Sequence, residues 1–258
     1  MIALKLGFRA FDPHELLVHF LAERAGVYTE LGLDVSLVDL RAGDRPHDAA
    51  VACGSALFAA LDGAPIRIRL IASRAPLFWL YGHRSELADA RIAGYPPGTP
   101  PARFLAFALP ESATLLSARD DAARLALLRS GAADCALLSS ATPPSRLMDI
   151  EPLFCLADRV AVPTTGVAAR VGEGPGVDRL VQAHRLALGA LAADPTLARA
   201  TARDAFEFDE DEAAWAVSVA RHYFTDDGRV PATYIESALS IVGATASPYE
   251  PEALRPPT

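Results

Sequence analysis

Residues 2–8, IALKLGF, alternate apolar and polar side chains and predict a strand that ends at Phe8. The next stretch, RAFDPHELLVHFLAERAGVY, changes to helical spacing, with Leu16, Leu17, Phe20 and Leu21 on one face. Asp12 is its expected N-cap, Pro13 its first residue, and Glu15 the partner that completes a capping box. LGLDVSLVDL predicts a second strand, entered through Gly32. DAAVACGSALFAALDG predicts a strand, a turn at Gly54, a cap at Ser55, a short helix and a stop at Gly63. IRIRLIAS and LFWLYGH predict two more strands.

ELADARIAGY then leads into a turn in which Gly98 and Thr99 stand between two Pro pairs. Thr99 has the chemistry of an N-cap, and Pro100 suits the first helical position. SATLLSARDDAARLALLRSGAADCALLSS predicts an extended segment, a helix starting near Asp120, a stop at Gly131 and a buried strand ending at Ser139. TGVAARV predicts a return strand. From about Gly176 four helical patterns follow, each with a Pro or acidic start.

Alternating strands and helices imply α/β architecture, with mostly parallel sheets and helices on both faces. The alternation runs through residues 1–72 and again through 85–140, and a helical C-terminal tail closes the chain. Two lobes are expected: residues 1–75 with 165–258, and residues 76–164, joined by crossings near Ala72–Leu80 and Asp158–Gly166. Strand ends in such sheets face ligands, so a cleft between the lobes is the expected site.

Composition narrows the classes. Of 258 residues, 51% are hydrophobic, which argues against disorder, and a net charge of −8 argues against nucleic acid as partner. Lys5 is the sole lysine, so Schiff-base chemistry would have to use it. No run approaches the about 18 apolar residues of a membrane span, so no membrane insertion is expected. The N-terminus lacks the apolar core and cleavage site of a signal peptide. A cytoplasmic protein is expected, or a periplasmic one whose leader was removed. Cys53, Cys135 and Cys155 have no knuckle spacing, and no two of the six histidines have zincin spacing beside a carboxylate; no metal and no cofactor is expected. G-x-S-x-G, P-loop and G-x-G-x-x-G motifs are absent.

The candidate site residues are small polar groups at strand ends and crossings. Phe11 and Asp12 follow the first strand. Asp12 reads more readily as a cap, whereas the Phe11 ring has little core to fill beside it. Cys53, Gly54 and Ser55 follow the third strand. A helix start beside Cys53 would lower its thiol pKa. Ser55 and Thr99 read equally as caps or as ligand contacts. Pro100 and Pro101 lack N–H groups, so Thr99 with its neighbours suits a hydroxyl-and-amide contact better than a phosphate cradle. Arg74, at the first crossing, is either a bidentate anion partner or a solvated hinge residue. Trp79 and Tyr81 alternate along a strand and suit cleft or core. Ser139 and Ser140 directly follow a strand, and Thr164 precedes the return strand as a hinge or donor.

Four segments taken together, FLAERAGVYTELGLDVSLVDL, AVACGSALFAALDGAPIRIRLIA, ELADARIAGYPPGTPPARFLAFAL and ARLALLRSGAADCALL, resemble the type II periplasmic solute-binding proteins. The nearest branch is the thiamine-pyrimidine-synthase-like and sulfonate- or nitrate-binding group. The resemblance spans nearly the whole chain and implies two lobes hinged around a small-molecule ligand. That ligand would be heteroaromatic and pyrimidine-like, a sulfonate or a carboxylate, with an ABC permease as partner. The chain departs from the family in lacking a secretory leader and the Cys- and His-rich stretch of the yeast-type pyrimidine synthases. An alternative is therefore a cytoplasmic enzyme on the same fold, a lyase or cofactor-precursor enzyme with Asp12, His14 or Cys53 as its groups. A third is the effector-sensing domain of a regulator.

Overall fold

The computed structural model describes residues 1–41, 43, 46–84, 86–147 and 149–255. Strand β1 (Ile2–Phe8) turns Leu4, Leu6 and Phe8 inward, as its alternation requires. Helix α1 (Pro13–Arg24) starts at the Asp12 N-cap, whose carboxylate accepts the Glu15 N–H at 3.0 Å. Its Leu16, Leu17 and Leu21 side chains are fully buried, each contributing about 1.5–3 kcal/mol. Phe20 is only half-buried. A short helix α2 (Val27–Glu30) follows left-handed Gly26, and Gly32, also left-handed, leads into β2 (Leu33–Asp39). Then come β3 (Ala49–Ala50), α3 (Cys53–Leu61) and β4 (Ile66–Ser73).

The chain next builds a second sheet. Its elements are β5 (Phe78–Gly82), β6 (Arg91–Gly94), α4 (Pro100–Ala108), β7 (Thr114–Ser117), α5 (Asp121–Arg129), β8 (Cys135–Ser139) and β9 (Pro152–Cys155). It then returns to the first sheet as β10 (Thr165–Arg170) and continues through α6 (Pro175–Ala193), α7 (Pro195–Phe206) and α8 (Glu210–Tyr223). The last elements are β11 (Val230–Pro231), α9 (Ala232–Ile241) and β12 (Leu254–Arg255). The chain divides into two compact units: Met1–Arg74 with the chain from Val162 on, and Ala75–Ala161.

The first unit's sheet has the order β2-β1-β3-β10-β4. β1 is parallel to β2 and β3, while β10 runs antiparallel to β3 and β4. The carboxyl ends of β1, β3 and β4 therefore share one edge with the amino end of β10. Gly166 permits β10 to approach there: at φ +157° its Cβ would lie 1.9 Å from the Leu70 carbonyl oxygen. A buried relay pins α1 to α2 and α6. The Tyr28 hydroxyl lies 2.9 Å from His19 Nδ1 and 2.9 Å from His184 Nε2, so one imidazole donates and the other accepts. Burial pushes His19 down to about 4 and His184 to about 3, keeping both neutral.

The second unit's sheet has the order β7-β6-β8-β5-β9. β6 is parallel to β7 and β8, and β5 is antiparallel to β8 and β9. Its carboxyl edge is thus made by the ends of β6, β7, β8 and β9 with the start of β5. The Asp120 carboxylate caps α5 through the Ala123 N–H at 2.8 Å. Both Trp79 and Tyr81 are buried within this unit.

Two expected caps take another form. Helix α3 starts at Cys53 with Ala52 in the N-cap position, so Ser55 sits in the first turn and caps nothing. The Gly54 N–H that a cap would satisfy instead donates to the Thr164 carbonyl at 2.9 Å. Thr99 does hold the N-cap position of α4, but its hydroxyl donates backwards to the Pro96 carbonyl at 2.7 Å. With Pro101 at the second helical position, one of the two N–H groups that a cap normally takes does not exist.

Candidate functional site

At the first unit's edge, Thr164 is the meeting point. Its hydroxyl lies 2.9 Å from His14 Nε2 of buried α1, its carbonyl accepts the Gly54 N–H, and its N–H donates to the Ser73 carbonyl at 3.2 Å. One residue thus ties β10 to the loops after β1, β3 and β4. Asp12 lies beside this point as the α1 cap, 2% exposed. The Glu15 carboxylate reaches back to the Arg9 and Ala10 N–H groups at 2.7 and 3.0 Å. Burial and the neighbouring Asp12 charge push the Glu15 carboxyl up to about 7, against the pull of those two N–H groups. Ser55, half-buried, has neither its hydroxyl nor its N–H taken by a partner among the described residues.

Two further candidates of this unit sit differently from their sequence reading, and a third, Arg74, is exposed at the unit boundary. The Cys53 thiol is fully buried, 3.9 Å from the Leu70 carbonyl, and burial pushes its pKa up, the reverse of the activation a helix start would give. The Phe11 ring, 46% exposed, does find rings to pack on: Phe8, Phe20 and Phe206 meet it edge-on with centroids 5.8–5.9 Å away. The Arg74 guanidinium donates through Nε and Nη2 to the Tyr223 and His222 carbonyls at the end of α8, where the helix dipole favours a cation.

At the second unit's edge a carboxylate does the organising. Asp121, in the first turn of α5, accepts the Ser139 N–H at 3.1 Å, the Ser139 hydroxyl at 2.8 Å and the Thr142 hydroxyl at 2.8 Å on one oxygen. Its other oxygen pairs with Arg124, which is 1% exposed. Arg124 also donates to the Ala118 carbonyl at 3.0 Å and lies 3.7 Å from the centroid of the Tyr95 ring, leaving its Nε without a partner. Phe78 meets the Tyr95 ring edge-on at 5.4 Å. Ser140 is buried next to Ser139, and Thr99 belongs to the turn after Tyr95.

The structure thus groups Asp12, Cys53, Ser55 and Thr164 on one sheet edge, and Ser139 with Ser140 on the other. Sequence reasoning missed His14 as a partner of Thr164, Glu15 as more than a capping group, and Asp121, Arg124, Thr142 and Tyr95 altogether. An i, i+3 acid–base pair, Asp121 and Arg124, at a helix start was the available signal.

Among the described residues no helix is long and apolar enough to cross a membrane, and no group of three or more His, Cys, Asp or Glu could hold a metal ion. No family model matches the chain, and no curated protein matches it. Solved structures do. The alkanesulfonate-binding protein SsuA from Xanthomonas axonopodis pv. citri, bound to MOPS, is 14% identical with a TM-score of 0.69, over 93% of this chain and 91% of that one. The periplasmic aliphatic sulphonate-binding protein SsuA from Escherichia coli is 13% identical with a TM-score of 0.72, over 93% and 85%. A ligand-binding component of an ABC-type import system from Staphylococcus aureus, solved with zinc bound, is 11% identical with a TM-score of 0.73, over 94% and 91%. At these identities the likeness is one of fold, and the fold is that of the type II periplasmic solute-binding proteins.

Proposed function

We propose that this chain is the substrate-binding component of an ABC-type uptake system, with a permease as its partner. It takes a small organic solute, either heteroaromatic and pyrimidine-like, a sulfonate or a carboxylate. The polar groups at the two sheet edges are its candidate contacts. The observation that carries this reading is the presence of uncommitted polar groups on both carboxyl edges. Ser55 offers a hydroxyl and an N–H on one, and Thr142 offers a hydroxyl oxygen on the other. Thr164, Asp12 and Phe11 shape the first edge, Ser139, Ser140 and Thr99 the second, and Arg74 and Cys53 support the scaffold.

The test is a thermal-shift screen with a solute library, followed by recovery of the hit. A true ligand raises the midpoint by mass action, by about 2.7 kcal/mol of stability at a hundredfold excess over Kd. Recovery of the compound unchanged supports binding, and a library without a hit contradicts it.

A second reading, an enzyme on the same fold, has one observation in its favour. A carboxyl held near 7 beside Asp12 and His14 has the protonation behaviour of a general acid or base. Conversion of the hit, abolished by Glu15→Gln, would support this reading over the first.

A further inference from the structure

The second unit's edge is wired in a way that bears on ligand class. A serine or threonine hydroxyl has one hydrogen to give and two lone pairs. The Ser139 and Thr142 hydrogens both point to the same Asp121 oxygen, each at 2.8 Å. One Ser139 lone pair takes the Ala141 N–H at 3.3 Å. What remains are lone pairs: one on Ser139 and both on Thr142, with no partner among the described residues. Thr142 is half-buried and Ser139 nearly buried, so these lone pairs lie at a partly sheltered surface. Arg124 is already paired with Asp121, hydrogen-bonded to Ala118 and covered by the Tyr95 ring. Its remaining polar atom, Nε, is buried.

An oxyanion brought to the Ser139 and Thr142 oxygens would meet lone pairs beside a carboxylate, and it would lose its hydration without gaining a donor from either hydroxyl. A group with N–H or O–H to give would find acceptors whose orientation Asp121 fixes in advance. We propose that Ser139 and Thr142 form a hydrogen-bond-acceptor subsite that selects an uncharged donor head, such as a primary amide or amino group, over a sulfonate or carboxylate. This deepens the solute-binding reading and rests on it. It assigns the donor end of the ligand to the second unit's sheet edge. Asp121 acts here as a positioning residue, because its role is to hold the two hydroxyl hydrogens away from the ligand.

The experiment compares amide, carboxylate and sulfonate versions of one carbon skeleton. Benzamide, benzoate and benzenesulfonate make one set, and butyramide, butyrate and propanesulfonate a second. All are titrated calorimetrically into the full chain at pH 7.5. The amide of a binding set is expected to bind about tenfold or more tighter than its acid and its sulfonate. Thr142→Val should remove most of that preference, and Thr142→Ser should keep it. A purely structural role for Thr142 would not move the amide-to-acid ratio. Asp121→Asn, where it folds, should weaken the preference as well, since its amide can donate to the hydroxyls and free their hydrogens.

Acids or sulfonates binding as tightly as their amides would overturn the proposal, and so would six silent titrations. The solute-binding reading itself falls only if the broader thermal-shift library also yields no ligand.

Discussion

The two sheet edges are made by the same topological device and wired in opposite ways. In the first unit, backbone does the tying. The Thr164 carbonyl takes the Gly54 N–H, and its N–H donates to Ser73. This releases Ser55 from capping duty and leaves donors. In the second unit, a side chain does the tying. Asp121 gathers Ser139, Thr142 and Arg124, consumes their donors and leaves acceptors. Similar small hydroxyl residues at similar strand ends thus acquire opposite hydrogen-bonding character. The lesson is that the partner of a Ser or Thr decides what it offers to a ligand.

The largest test of this contrast removes the organising carboxylate. Asp121→Ala leaves Arg124 buried without its partner and should cost about 3–5 kcal/mol. Each unit has one tryptophan, Trp79 in the second and Trp215 in the first. Single-tryptophan variants followed in urea should show the loss in the Trp79 transition first.

Next comes Gly166→Ala, which drives a methyl group into the Leu70 carbonyl and should cost about 3 kcal/mol through forced backbone shifts. Its loss should register at Trp215. Thr164→Val removes the hydroxyl bonded to His14 and should cost about 1 kcal/mol. The backbone ties through Gly54 and Ser73 stay in place, so the first edge should survive this change.

A further effect is one of pH. The Glu15 carboxyl moves from 4.5 to about 7 on folding, so the native state holds more protons than the unfolded chain between those values. Its contribution to stability is full below about 4.5 and is lost as pH rises through 7. His19 and His184, pushed down to about 4 and 3, work the other way, losing their contribution as pH falls from 6.5. Subtracting the wild-type unfolding curve from that of Glu15→Gln should isolate the first effect: the variant gains relative stability from pH 4.5 to 7. A difference that stays flat across that range would contradict the assignment.

Much of the fold is legible from local pattern, because each element carries its own start and stop. Asp12-Pro13 and Asp120 cap their helices as read, and Gly32, Gly63 and Gly131 adopt the left-handed turns their positions suggest. The return of TGVAARV to the first sheet follows the same logic. Legibility fails where a residue's partner is distant in sequence. The Thr164 carbonyl replaces the cap at α3, 110 residues upstream of it, and no local rule could predict that Ser55 would stay uncommitted. Cys53 looked activated by a helix start, but the desolvation that decides its state comes from tertiary burial. Asp121 was hidden beside Asp120: one Asp of the pair caps the helix, and its neighbour organises the sheet edge. Thr99 holds its N-cap position, but its hydroxyl turns back to Pro96, and one of the two N–H groups a cap takes is missing at Pro101.

One measurement bears most directly on whether these edge residues hold a solute. Using the strongest ligand from the screen, calorimetric titration gives stoichiometry and Kd for wild type, Ser55→Ala and Thr142→Val. Thermal unfolding checks that each variant stays folded. Affinity is expected to fall about fivefold to tenfold in at least one of the two variants, the worth of one hydrogen bond. Unchanged affinity in both variants would contradict the account.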